Sequence, residues 1–133
     1  MAFEIVLDRP LDGGVDMKQT VVFDFDGVIH SYTSGWKGTD VIPDPPVPGI
    51  KEAIAEIRAA GYEVVVVSTR TATTAGFGAV RAWLIDNGIE VDRLCVEKPP
   101  AIVYIDDRAI CFDGDAAGLL GKIQAFRPWN RES

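Results

Sequence analysis

The chain is expected to fold as one α/β domain, a parallel sheet wrapped by helices on both faces in three layers. Three observations predict this. Short runs rich in β-branched and aromatic residues alternate with stretches whose apolar residues recur at helical spacing. One run holds four consecutive valines, Val64 to Val67, which suits a strand covered on both faces better than a half-exposed hairpin. Several runs end in acidic or hydroxyl residues, and α/β sheets gather functional groups beyond the carboxyl ends of their strands. The length of 133 residues leaves room for a single domain, 1–133 with its core at about 20–126, and 47% hydrophobic residues suffice for a real core.

The first element is a strand over 20–25 (Thr-Val-Val-Phe-Asp-Phe), which delivers its tip to the turn at Asp26-Gly27. Residues 27–48, rich in Gly, Pro, Ser and Thr, form a loop too long for an idle connection, so it is expected to cover or shape a site. Pro48 then opens a helix with Ile50, Ala53, Ile54 and Ile57 on one face, and Gly61 closes it. A second strand covers 62–67 and ends at Ser68-Thr69-Arg70. The next helix runs over about 74–87, with Phe77, Val80 and Leu84 inward and Gly88 at its exit. Residues 93–96 form a third strand and 101–105 a fourth that presents Asp106 and Asp107, while 109–112 could be a fifth. From Asp115 the set Leu119, Leu120, Ile123 and Phe126 marks a final helix, ended by Pro128-Trp129.

Composition narrows the function. Thirteen basic against 20 acidic residues give a net charge of −7, which disfavours a long nucleic-acid footprint but not recognition of one terminal phosphate. Cys95 and Cys111 sit in apolar segments without metal-type spacing and are read as reduced core residues. Glu4 and Asp8 interrupt the apolar N-terminus, no basic leader precedes a long hydrophobic region, and no run approaches a membrane span. The expectation is a cytoplasmic protein without a membrane partner.

Under this fold the polar tips meet: Asp24 and Asp26 from the first strand, Ser68, Thr69 and Arg70 from the second, Asp106 and Asp107 from the fourth. Four carboxylates in one place repel each other, so they must share protons or bind a cation, and hard oxygen ligands suit Mg²⁺. Asp-Phe-Asp-Gly-Val, a serine after a valine strand, a lysine, and the pair Asp-Asp together resemble the haloacid-dehalogenase superfamily of phosphotransferases, across roughly residues 20–126.

The resemblance implies a Rossmann-like fold and hydrolysis of a phosphomonoester through an aspartyl-phosphate on Asp24, with Asp26 giving and taking the protons. It implies Mg²⁺ held by Asp24, Asp106, the backbone carbonyl of Asp26, and Asp107 directly or through water. Ser68 and the Thr69 amide would bind phosphoryl oxygens, and Lys98, only eight residues before Asp106, would neutralise phosphate charge. Ser-Thr-Arg and Asp-Asp-Arg also look similar to the phosphatase half of polynucleotide kinase/phosphatase enzymes. Arg70 is then the better candidate to contact phosphate, and Arg108 either contacts substrate or braces a loop.

The intervals 27–48 and 68–98 are too short for the cap domain that many relatives insert, which implies a capless enzyme. An open site fits a large phosphorylated substrate, such as a nucleotide or nucleic-acid end, or completion by a second subunit in a homo-oligomer. A nucleotidase or polynucleotide 3′-end phosphatase is thus an alternative, as is a metal- or partner-binding module that kept the fold without turnover. His30 is read as structural, Trp83 and Trp129 as packing residues. Tyr32 and Trp36 either stack on a base or sugar or anchor their loop. Gly76-Phe-Gly78 lacks the third glycine of a dinucleotide fingerprint, since Arg81 stands there.

Overall fold

Four strands, β1 (Thr20–Phe23), β2 (Glu63–Val67), β3 (Arg93–Cys95) and β4 (Val103–Ile105), form one sheet in the order β3-β2-β1-β4. Every pair in it is parallel. The structure, a computed structural model, describes residues 18–130. The segment carrying Glu4 and Asp8, on which the reading of the leader depends, lies outside the described residues. The helices are α1 (Ile50–Ala59), α2 (Thr74–Asp86) and α3 (Leu119–Ala125), with a 3₁₀ turn at Thr69–Ala72. Among the described residues no helix is long and apolar enough to cross a membrane. The chain moves from β1 through α1 to β2 and through α2 to β3, then returns to add β4 on the other side of β1. The tip of β1 is therefore the point where the winding reverses, the usual site of ligand binding in such sheets.

The alternation of side chains along β1 explains the layering. Val21 and Phe23 face a core built with Val64, Val66 and Leu94, and onto it pack Ile54 of α1 and Val80 and Leu84 of α2. Val22 points the other way and meets Val65 and Cys95, flanked by Val67 and Ala101. The valine run of β2 is buried on both faces as its sequence predicts. Burying each such side chain contributes about 1.5–3 kcal/mol. At the base of the sheet Glu63 accepts two hydrogen bonds from the Arg93 guanidinium, both 3.1 Å, and one from the Thr20 hydroxyl at 2.8 Å. One carboxylate thereby joins β1, β2 and β3.

Several elements differ from expectation. The first strand stops at Phe23, because Phe25 must fold into the turn, its carbonyl accepting from Ile29 at 2.9 Å and His30 at 3.0 Å. Pro48 lies outside α1, whose N-terminal boundary is Gly49 at φ 83°, and Ala53 is exposed. Residues 109–112 form no strand, since a short run without a neighbour to pair with gains nothing from extension. The final helix begins at Leu119 rather than Asp115, because Asp113 and Asp115 accept the N–H groups of Asp115 and Gly118 in local turns that compete with a helix. Leu120 and Ile123 are exposed rather than inward. Cys95 is buried, whereas Cys111 is exposed and not a core residue. Trp83 packs edge-on against Phe25 at 5.1 Å, but Trp129 is 64% exposed.

Candidate active site

Strand register brings the acidic tips together. Phe23 pairs with Ile105, and the Asp24 N–H donates to the Ile105 carbonyl at 2.8 Å, so Asp24 and Asp106 leave the sheet side by side. Phe23 also pairs with Val66, which sets Ser68 beyond the end of the neighbouring strand. Asp107 closes in from the third side. Gly27 makes this possible twice over: its φ of 83° is costly for other residues, and a Cβ there would collide with the Asp107 carboxylate.

One carboxylate oxygen from each of Asp24, Asp106 and Asp107 lies within 4.8 Å of the other two. Burial, then the charge of Asp106, pushes the Asp24 carboxyl up from its ordinary 3.8 to about 8, with a smaller contribution from Asp107 and opposition from the Phe25 N–H. Burial likewise raises Asp107, partly offset by its hydrogen bond with Asp24. Three crowded, partly desolvated carboxylates are an unstable arrangement as bare anions and a suitable one around a cation. Three carboxylate oxygens this close are the hard donor set that Mg²⁺ takes, and they would draw together around it. The Asp26 carbonyl accepts none of the hydrogen bonds found among the described residues, which leaves it available as a further oxygen ligand.

Lys98 reaches the same cluster, its Nζ lying 3.8 Å from Asp106 Oδ2 and 5.3 Å from the Tyr104 ring centroid, with its side chain 54% exposed. Its proximity in sequence to Asp106 is thus no obstacle. Ser68 is buried at the start of the 3₁₀ turn, where its hydroxyl accepts the Arg70 N–H at 3.2 Å and keeps its own proton for another acceptor. Thr69 is exposed at the first position of the turn. Arg108 is exposed; its N–H donates to Asp106 Oδ1 at 3.0 Å, and the residue lines an open pocket of about 260 Å³ with Ile110, Ile123 and Phe126.

Asp26 and Arg70 are paired with each other. The Asp26 carboxylate is not part of that group of three and accepts from His30 Nδ1 at 2.8 Å and Arg70 Nε at 2.9 Å. Arg70 is completely buried, and its Nη1 donates to the carbonyls of Gly38, Thr39 and Val41 at 2.7, 2.9 and 3.2 Å. Through Nε and Nη1 the guanidinium braces the loop, while its buried Nη2 has no hydrogen-bond partner among the described residues. Trp36 covers it at 4.5 Å, which favours the anchoring role for that residue. His30 was readable only as an isolated histidine, although its position four residues after Asp26 in a tight turn was a signal. The return of the C-terminal segment carried none: Trp129 Nε1 donates to the Gly27 carbonyl at 2.8 Å, across 102 positions.

No protein-family model and no curated protein matches the chain. Among solved structures it is similar to a D,D-heptose 1,7-bisphosphate phosphatase from Burkholderia thailandensis, at 25% identity and a TM-score of 0.41, over 68% of this chain and 66%, just under two thirds, of that one.

Proposed function

We propose that the chain is a Mg²⁺-dependent phosphomonoester hydrolase of the haloacid-dehalogenase type, working through an aspartyl-phosphate on Asp24. The observation that carries this reading is the convergence of Asp24, Asp106 and Asp107 at the reversal point of a parallel sheet. Asp24, Asp106 and the Asp26 carbonyl would hold the cation, with Asp107 beside them. The cation would supply charge neutralisation, allowing Asp24 to ionise and a phosphate to approach it.

In the first half-reaction an Asp24 oxygen forms a bond to phosphorus while the ester P–O bond breaks, and the Asp26 carboxyl gives its proton to the departing oxygen. In the second, Asp26 takes a proton from water as the water oxygen bonds to phosphorus and the Asp24–phosphorus bond breaks. Inorganic phosphate leaves and both residues return to their starting states. Ser68, the Thr69 amide and Lys98 would hold the non-bridging oxygens.

The substrate is a phosphorylated small molecule or a larger ester admitted by the capless site. The reading is tested by phosphate release from a panel of esters with Mg²⁺. The parent should hydrolyse at least one of them and Asp24→Asn none; equal release by both proteins would contradict it.

A further inference from the structure

We infer that His30 and Arg70 are positioning residues for Asp26, two buried donors that fix the acid/base carboxylate and tie its orientation to the loop above the site. The inference rests on the reading of Asp24 and Asp26 as nucleophile and acid/base.

The tautomer of His30 follows from its partners. The Asp44 N–H donates to Nε2 at 3.1 Å, so Nε2 presents a lone pair, and the ring proton sits on Nδ1, from which it is donated to Asp26 Oδ1 at 2.8 Å. Asp44 Oδ2, at 3.6 Å from Nε2, is too distant to compete as an acceptor. The ring itself is fixed by stacking on Phe25 and by the edges of Trp83 and Tyr32, at centroid distances of 5.6, 5.6 and 6.0 Å.

Arg70 holds the other oxygen through Nε and is held in turn by three carbonyls of the loop and by Trp36. Both donors are fully buried, whereas the Asp26 side chain retains 15% exposure. A carboxylate offers about four acceptor positions. Two are occupied here, which leaves each oxygen a lone pair with which to carry or receive the transferred proton. A carboxylate fixed this way meets the leaving oxygen without first being ordered, which is the advantage of preorganisation. A loop displaced at residues 38–41 would also displace Asp26, because one guanidinium holds both.

A leaving-group comparison tests this. The parent, His30→Leu, His30→Asn and Arg70→Lys are assayed with Mg²⁺ on an alkyl phosphate, whose alkoxide must be protonated as it leaves, and on p-nitrophenyl phosphate, whose phenolate need not be. His30→Leu and Arg70→Lys should lower kcat/KM, which reports the first half-reaction, by on the order of 10²-fold on the alkyl ester with a much smaller loss of kcat/KM on the aryl ester, whereas kcat, which includes the water attack common to both, falls on each. His30→Asn should recover most of the loss, because its amide can donate from near the Nδ1 position. Equal losses of kcat/KM on both esters, no loss, or an Asn variant as impaired as the Leu variant would overturn the positioning role.

The chain contains one histidine, so proton NMR supplies a readout independent of turnover. The His30 ring proton should be slow to exchange in the parent and exposed to exchange in Asp26→Ala; rapid exchange in the parent overturns the inference. If that proton is protected and the parent cleaves neither ester, the phosphatase reading falls and this role falls with it. If the parent cleaves both esters through Asp24 while the variants lose kcat/KM equally on each, only the positioning role falls.

Discussion

The ionisation of Asp24 sets much of what can be measured at single positions. Its carboxyl titrates near 3.8 when exposed and is raised to about 8 in the fold, chiefly by burial and then by Asp106. The stability linked to this group is therefore complete below pH 3.8 and is lost as pH rises toward 8, because the unfolded chain ionises while the folded one resists. Asp24→Asn removes this linkage. In metal-free protein it should raise the Tm at pH 8, by a gain on the order of 1–2 kcal/mol, and change little near pH 4, while lowering turnover at least about 10³-fold. Scanning calorimetry across pH checks the first outcome and phosphate release the second; a gap that shrinks with rising pH would contradict the electrostatic account.

Gly27→Ala should cost about 2–4 kcal/mol in urea unfolding, since it combines an unfavourable φ with a collision against Asp107. The carboxylates were legible in the sequence because strand ends announce themselves as apolar runs stopping at acidic residues. The partnership of Asp26 with Arg70 was not, because the two stand 44 positions apart and it depends on how the loop carrying Gly38, Thr39 and Val41 packs on the guanidinium.

At the scale of elements, the carboxylate of Glu63 joins three strands through buried hydrogen bonds. Arg93→Met leaves that carboxylate buried without its principal partner and should destabilise by about 3–5 kcal/mol in denaturant unfolding, whereas Arg93→Met with Glu63→Leu should recover most of the loss. A double variant as unstable as the single one would show that packing, not the uncompensated charge, sets the cost. The strands and the helices α1 and α2 were readable because their period agrees with what they bury: Ile54, Val80 and Leu84 meet the same face of the sheet as Val21 and Phe23. The C-terminal third was read less well. There Leu119, Leu120 and Ile123 have helical spacing, but Asp113, Asp115 and Gly118 favour turns, and an apolar period does not say whether a face finds something to cover it.

For the whole molecule, the order β3-β2-β1-β4 places the first strand at the reversal of winding, and that topology, not any single motif, assembles Asp24 with Asp106 and Asp107. A cation bound there should stabilise the folded chain by about 2.7 kcal/mol at a hundred times its Kd, and at one fixed concentration more strongly at higher pH, where its Kd falls because it no longer has to displace the proton of Asp24. Thermal unfolding with and without Mg²⁺ at two pH values checks this; a larger shift at the lower pH would oppose it. The central claim, that these carboxylates hold one cation against which a phosphoryl group reaches Asp24, is tested most directly by fluorine NMR with beryllofluoride, a phosphoryl mimic that needs no known substrate. The account predicts a bound signal that appears only with Mg²⁺ and is lost in both Asp24→Asn and Asp106→Asn. A bound signal without Mg²⁺, or one that survives either substitution, would contradict it.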